Sequence, residues 1–309
     1  MGGSGGYGYG RSGNIPLKPT GLEDTIARTR NQADSAEVAA TFGDALAEIN
    51  QTDTEALNQH KVEVLAALKD EFPDAFDMHG GGSYTRRTYV DGLSDVDLLL
   101  DLGPYSASKI ADKDNPQAVI AAMRERLEQR FPNSQITDGR MAVTLTFSDG
   151  LELQVLPAYR YRGGYRVPDL SGTGWTVTRP RVFAQLLRDR NAEVGGKLLP
   201  CIKLAKQICS AQGVEIKSYH LENMAVRAFE GYSGPKTHEA MLRHLFNQAK
   251  MLAAAPMKDV TGQDTHVDRY LDSTTSRNKL AKDLANLERR IADAQGNSAE
   301  WRKLLNLPD

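Results

Sequence analysis

Gly82-Ser83 stands twelve residues ahead of Asp95-Val96-Asp97, and these residues are the chain's best candidates for chemistry. In an extended strand alternate side chains share a face. Asp95 and Asp97 would then project together, while Val96, Leu98 and Leu100 face a core. Two carboxylates side by side repel unless a cation lies between them. Mg²⁺ takes one or two carboxylates and completes its shell with water and substrate phosphates. The Gly-Ser turn can present backbone N–H groups, and a helix starting there would bring its positive end to a triphosphate. A phosphate cradle beside a metal pair points to phosphoryl or nucleotidyl transfer. Either piece alone is ordinary, since Asp-x-Asp often ends a strand and Gly-Gly-Ser is often a plain loop. Their order and spacing, with an apolar strand pattern after the second Asp, carry the reading.

The elements that must position these residues follow from periodicity. Residues 24–49 are helix-like, and Thr52-Asp53-Thr54-Glu55 resembles a capping box that opens a second helix to about Lys69. Pro73 and the glycines at 80–82 break that helix, and the Asp-bearing strand follows Ser94. Pro116 to Phe131 is amphipathic, with Val119, Ile120, Met123 and Leu127 on one side. Met141 to Phe147 alternates, Ser148-Asp149-Gly150 turns, and Leu151 to Leu156 returns as its antiparallel partner. Tyr159 to Thr178, with four glycines, reads as a loop-rich passage to a second lobe. Beyond Pro180 the pattern is helical over 180–193, 197–211, 217–230, 236–254 and 276–296. The fold class is therefore α+β, a small mixed sheet with helices and then a helical lobe. The expected organisation is a Gly-rich tail over 1–22, N-terminal helices and the catalytic core over 23–175, and the helical lobe over 176–309. A cleft between lobes is the expected ligand site.

On the returning strand Glu152 and Gln154 share one face and the apolar residues share the other. A third carboxylate near an Asp-x-Asp pair would complete a two-metal site, whose ions lie about 3.5–4 Å apart and stabilise the attacking and leaving oxygens. The chain has 309 residues, 40% hydrophobic and 25% charged, with a net charge of −2. The length allows two domains or one two-lobed enzyme, the composition is ordinary for a soluble globular protein, and the charge gives no global basic field for nucleic acid. No apolar run approaches the roughly 20 residues that span a bilayer, and the glycine-rich start, Met1 to Asn14, lacks the apolar segment of a secretory signal. The expected location is cytoplasmic, with no membrane contact. Cys201 and Cys209 read as core thiols, and the six His and two Cys show no zinc-ligand spacing.

Gly-Ser, then Asp-Val-Asp, then a strand ending in Val-Leu-Pro-Ala, then a helical lobe with Lys-Ser-Tyr-His-Leu-Glu, resembles the nucleotidyltransferases related to oligoadenylate synthase and cyclic GMP–AMP synthase. Among these the chain is most similar to the bacterial cGAS/DncV-like group (CD-NTases), which makes cyclic oligonucleotide signals in anti-phage defence. The resemblance covers roughly residues 50–235. It implies a polymerase-beta-like nucleotidyltransferase core joined to a C-terminal helical lobe across a central cleft. It further implies that Gly82 and Ser83 bind the donor triphosphate, and that Asp95 and Asp97 hold two Mg²⁺ ions, with Mn²⁺ as a substitute. Lys206, with Lys203 as the alternative, would reach the β- and γ-phosphates, Ser218 would add a phosphate contact, and Tyr219 would stack on the donor base. A lysine suits phosphate as a point charge, and an aromatic face stacks on any base. Without the motif, Lys206 reads as a solvated helix face and Tyr219 as a core aromatic.

One position departs from the pattern. Oligoadenylate synthase-like members carry an Asp three residues before the Pro of this strand, where this chain has Gln154. A glutamine oxygen can ligate a metal but brings no charge and cannot act as a base. Glu152 faces the same way, about 6–7 Å along the strand, and is expected to supply the third carboxylate as catalytic group and metal ligand. The expected activity is Mg²⁺-dependent, template-independent joining of ATP and other nucleoside triphosphates into a cyclic or short linear oligonucleotide, with pyrophosphate released. Its partners would be a regulatory protein or nucleic-acid activator and a downstream effector that binds the product. The alternatives are a nucleotide sensor that keeps the fold but not the chemistry, motivated by Gln154, and a nucleotidyltransferase acting on RNA 3′ ends, which would ordinarily bring a basic surface. Arg86 and Arg87 either guide phosphates or cover a helix surface. Arg160, Arg162 and Arg166, interleaved with Tyr159, Tyr161 and Tyr165, either meet an acceptor nucleotide or activator or, as the ordinary reading, cover a solvated loop. Asp91 and Asp101 read as turn and strand-end residues.

Overall fold

The structure is a computed structural model and describes residues 20–51, 54–75, 78–91, 93, 96–103, 115–262 and 266–308. Helices α1 (Thr20–Glu48) and α2 (Thr54–Glu71) lead into strand β1 (Met78–Gly80), the single-turn helix α3 (Gly82–Thr85) and strand β2 (Val96–Asp101). Helix α4 (Pro116–Arg130) follows, and then strands β3 (Gln135–Asp138), β4 (Val143–Thr146), β5 (Glu152–Tyr161), β6 (Gly164–Pro168) and β7 (Trp175–Thr178). The remainder is helical: α5 (Pro180–Glu193), α6 (Leu198–Ala211), α7 (Ser218–Ala228), α8 (His238–Leu252), α9 (Thr274–Asp293) and α10 (Ser298–Leu305). The tail expected over 1–22 falls outside the described residues up to residue 19, as do Thr52 and Asp53 of the expected capping box.

The strands run β1-β2-β5-β4-β3, with β6 and β7 continuing from the far half of β5. β2 and β5 are parallel, while β1–β2, β3–β4 and β4–β5 are antiparallel, so the sheet is mixed as expected. The β4–β5 hairpin closes at Ser148-Asp149-Gly150, where Gly150 takes φ +86° and donates to Phe147 O. On β2 and β5 the alternation sorts the faces. Val96, Leu98, Leu100, Leu153 and Val155 are buried with Val64 and Leu68 of α2 and Ile120, Met123 and Leu127 of α4 in one core. Asp97, Glu152 and Gln154 take the opposite face and are only partly buried. Pro116 stands in the first turn of α4, where its missing N–H costs no helical bond, and Asn115 caps the helix by accepting from Gln117 N.

The passage from Tyr159 to Thr178 is not the loop expected. β5 extends to Tyr161, and β6 and β7 follow as two antiparallel strands paired by Tyr159↔Arg166 and Arg166↔Val177. The Tyr-Arg-Tyr-Arg and Tyr-Arg-Val alternations are strand patterns, and Arg162-Gly163, both at positive φ, supply only a tight turn. Asp101 does end β2 as expected. It is fully buried there and accepts from Arg160 Nε at 2.7 Å.

The second core gathers Phe183, Leu187, Cys201, Leu204, Ile208, Met224, Phe246, Leu284 and Trp301. It also takes in Val38, Phe42 and Ala45 of α1, with the Phe42 and Trp301 rings 4.8 Å apart edge to face. The N-terminal helix therefore packs with the helical lobe, although sequence order groups it with the sheet. Both cysteines are buried core thiols, and burial pushes the Cys209 thiol up to about 12. Among the described residues no helix is long and apolar enough to cross a membrane.

Candidate active site

The site lies at the end of β1, where the chain turns back over β2. Gly81 N donates to Asp97 O at 2.7 Å, which fastens the turn onto the carboxylate-bearing strand. Gly82 adopts φ +48°, and a Cβ there would lie 1.6 Å from Asp97 Oδ2. Only glycine leaves room for this approach, and only glycine takes that backbone conformation without strain. Ser83 is buried in the following turn, and Thr88 N returns to Ser83 O at 2.9 Å. The cradle and the carboxylate that the sequence spacing joins are thus in direct apposition at Gly82 and Asp97. Asp95 lies outside the described residues.

Asp97 is paired in register with Gln154 on the parallel neighbour β5, and Gln154 is paired with Thr144 on β4. The two side chains share a face, so the amide stands beside the carboxylate. Glu152 lies two residues earlier on the same face, opposite Thr146, whose hydroxyl donates to Glu152 Oε2 at 3.5 Å. Among the described residues no group of three His, Cys, Asp or Glu side chains is close enough to hold a metal ion. The hard oxygen donors that the face does offer, Asp97 and the Gln154 amide, suit Mg²⁺ completed by substrate phosphates.

The helical lobe meets this turn from the other side. Lys206 of α6 is buried, and its Nζ donates to Thr88 O at 2.8 Å and to Glu222 Oε1 at 2.7 Å. Burial makes its ammonium easier to deprotonate than a free lysine's, and the Glu222 charge opposes that. Lys203, one turn earlier, is bonded to Asn50 Oδ1. Ser218 opens α7 and lines, with Lys206, Leu93 and Leu221, a cavity of about 220 Å³. Tyr219 packs against Phe183 with ring centroids 4.8 Å apart, lies 5.3 Å from the Arg86 guanidinium, and donates its hydroxyl to Asp259 Oδ2 at 2.6 Å. Burial first, then Asp259, pushes that hydroxyl far above the ordinary tyrosine range. Arg86 is turned inward onto Glu222 and the Phe183 and Tyr219 rings, while Arg87 is exposed at φ +59°.

Glu222 closes the Lys-Ser-Tyr-His-Leu-Glu motif, but the sequence reading gave it no role. It is fully buried and accepts from Arg86, Thr88 and Lys206. Burial alone would push its carboxyl up, but the Arg86 and Lys206 charges and the bonds it accepts hold it below the usual carboxylate range. A signal was present, since a carboxylate interrupts the apolar run Leu221, Met224, Ala225 on one helix face.

Residues 37–191, half of the chain, match the Second Messenger Oligonucleotide or Dinucleotide Synthetase domain. A protein of Bacillus cereus described as a probable cyclic nucleotide synthase is 24% identical over 196 residues, which cover 52% of this chain and 59% of that protein. A cyclic AMP-AMP-AMP synthase of an Acinetobacter species is 26% identical over 128 residues, which cover 40% of this chain and 37% of that protein. The chain thus aligns with about half the length of these relatives. In fold it is similar to the Bradyrhizobium diazoefficiens CD-NTase CdnG solved in complex with GTP, with a TM-score of 0.69 and 14% identity over 87% of this chain and 94% of that one.

Proposed function

The chain belongs to the Second Messenger Oligonucleotide or Dinucleotide Synthetase family, and on that footing we propose that it joins nucleoside triphosphates into a cyclic or short linear oligonucleotide and releases pyrophosphate. One observation carries the reading: the Gly82-Ser83 turn is folded directly against Asp97 on the open face of the sheet. A turn seated on a metal-binding carboxylate can hold a triphosphate and its cation together.

In this reading Asp95 and Asp97 hold Mg²⁺, with Gln154 as a neutral oxygen donor beside Asp97. The ion, when bound, would neutralise the triphosphate and polarise the α-phosphate. The turn at Gly82-Ser83 orients the phosphate chain, and Lys206 and Ser218 flank it from the helical lobe. Tyr219 lends an aromatic edge to the donor base, stiffened by Phe183 and Arg86. Glu152, on the same face as Gln154, takes the proton from the attacking hydroxyl. We read the product as a signal in bacterial anti-phage defence, made in the cytoplasm under a regulatory protein or nucleic-acid activator and sensed by a downstream effector. The activities of the relatives, probable cyclic nucleotide synthesis and cyclic AMP-AMP-AMP synthesis, and the GTP bound by the structural neighbour support this class of substrate and product.

The test is incubation of the purified protein with all four ribonucleoside triphosphates and Mg²⁺ or Mn²⁺, with products resolved by mass spectrometry. A phosphatase-resistant product that vanishes in Asp97→Ala is the expected result. Pyrophosphate release that survives Asp97→Ala would overturn the mechanism. The register pair Asp97↔Gln154 favours one second reading, a sensor that binds nucleotide without turnover, because a neutral amide stands where a third acid would. Tight triphosphate binding with no product under any mixture would favour it.

A further inference from the structure

Glu222 gathers donors from two distant parts of the chain. Arg86 Nε and Thr88 Oγ1, each at 2.6 Å, come from the segment that leaves the Gly82-Ser83 turn, and Lys206 Nζ at 2.7 Å comes from α6. The donors reinforce one another. Lys206 Nζ also bonds Thr88 O, and Thr88 N and Oγ1 both reach back to Ser83 O, at 2.9 and 3.4 Å. Arg86 lies over Phe183 and Tyr219, 5.5 and 5.3 Å from their ring centres, so its guanidinium cannot swing away without leaving both rings. One carboxylate therefore joins the turn that emerges from the sheet core to two helices of the other core.

Stability is a weak reason to keep such a group. A fully buried ion pair loses much of its attraction to desolvation, and apolar residues of the same volume often serve a fold as well. What apolar residues cannot do is fix an ammonium group and a backbone turn in register with each other. We propose that Glu222 is a positioning residue for the donor triphosphate, holding Lys206 and the Gly82-Ser83 turn as one rigid frame before the nucleotide arrives. The inference rests on the nucleotidyltransferase reading of the turn and goes beyond it, because Glu222 itself touches no phosphate. Its effect passes through Lys206 and Thr88.

The experiment measures Kd for the four nucleoside triphosphates by calorimetry with Ca²⁺ in place of Mg²⁺, alongside KM and kcat for product formation. Glu222→Gln keeps one acceptor oxygen and removes the charge. Kd and KM are expected to rise about tenfold, the size of one lost charge-assisted bond, with kcat within about threefold of wild type. A merely structural role would lower the active fraction, and so kcat, at unchanged KM. Lys206→Met is expected to raise Kd on its own and to add less than about twofold in the Glu222→Gln background, because both changes disable the same contact. A Kd within about twofold of wild type in Glu222→Gln, or a double variant whose loss is the product of the two single losses, would overturn the proposal. Should Glu222→Gln fail to fold, Thr88→Val removes one donor at nearly constant volume. A two- to fivefold rise in Kd is expected there (roughly one neutral hydrogen bond), and an unchanged Kd overturns the proposal. Wild-type protein that binds triphosphate but makes no product overturns the synthase reading, and Glu222 is then judged on Kd alone. Wild-type protein that binds none of the four overturns both.

Discussion

Gly82→Ala is the sharpest test of the site, because a single methyl group separates fold from chemistry there. The new Cβ would lie 1.6 Å from Asp97 Oδ2, 2.5 Å from Cγ and 2.8 Å from Cβ. Ordinary contact between such atoms is about 3.5 Å, so the carboxylate must give way by roughly 2 Å or the turn must lift by as much. The turn is tied by Gly81 N to Asp97 O, whereas the Asp97 side chain lies on the open face, so the carboxylate is the part that yields. The alanine would also sit at φ +48°, which costs about 1–2 kcal/mol outside glycine. Strain of that size lowers the melting temperature of a chain this long by roughly 2–3 °C and leaves it folded at 25 °C. Displacing a catalytic group by about 1 Å is enough to lose about a hundredfold in rate. The expected outcome is therefore at least a hundredfold loss of pyrophosphate release, in a protein whose thermal melt falls only a few degrees. Pyrophosphate release above about a third of wild type in a well-folded Gly82→Ala protein would refute the claim that the turn and Asp97 act as one site.

Asp97→Asn should cost about a thousandfold in product formation while leaving the melting temperature within a few degrees, since the side chain lies outside both cores. Gln154→Asp places a second charge beside Asp97 and should lower the half-saturating Mg²⁺ concentration about fivefold in a pyrophosphate-release titration; an unchanged or higher requirement would show that Gln154 does not face the ion. The His220 ring is buried against the Tyr270 hydroxyl at 3.0 Å, and burial lowers its pKa to about 4. The unfolded chain then binds a proton the folded chain refuses, so stability contributed by the neutral ring is complete above pH 6.5 and is lost as pH falls towards 4, by roughly 3 kcal/mol in all. Half-buried His238 adds a smaller effect of the same sign, and denaturant unfolding of His220→Phe between pH 5 and 7 should show a flatter slope than wild type.

Most of the fold could be read in the sequence because local signals there agreed with the tertiary outcome. Pro180, the glycines after Glu193 and the apolar stripe between them bound α5 at the residues expected. The open-face placement of Asp97 was legible for the same reason, since alternation around Val96, Leu98 and Leu100 forces the acid there. The strands β6 and β7 were missed because four glycines outweighed a Tyr-Arg alternation whose meaning depends on pairing with the end of β5. β1 has only three residues, Met78–Gly80, and exists because β2 lies beside it. The affiliation of α1 was hidden for a different reason. Val38, Phe42 and Ala45 mark a buried face, but only the packing of Phe42 on Trp301, across most of the chain, shows which core they join.

On the proposed function, the charges around the turn would make a neutral Gln154 compatible with a working site. On the sheet side Asp97 faces the turn with an amide, not a third acid, as its neighbour on β5. Where the turn meets the helical lobe, Arg86 from the turn segment and Lys206 from α6 bring two positive charges against the single negative charge of Glu222. This junction therefore keeps a surplus of positive charge at a point where water is largely excluded, and this is where a polyanion would gain most from it. An additional carboxylate at position 154 would strengthen the hold on a cation but would also oppose the phosphates that the surplus attracts. On the proposed function, glutamine at this position would shift part of the work of neutralising a triphosphate from metal ions to protein cations. Those cations are held in place by Glu222, so the substitution on the sheet and the buried carboxylate in the helical lobe belong to one electrostatic arrangement.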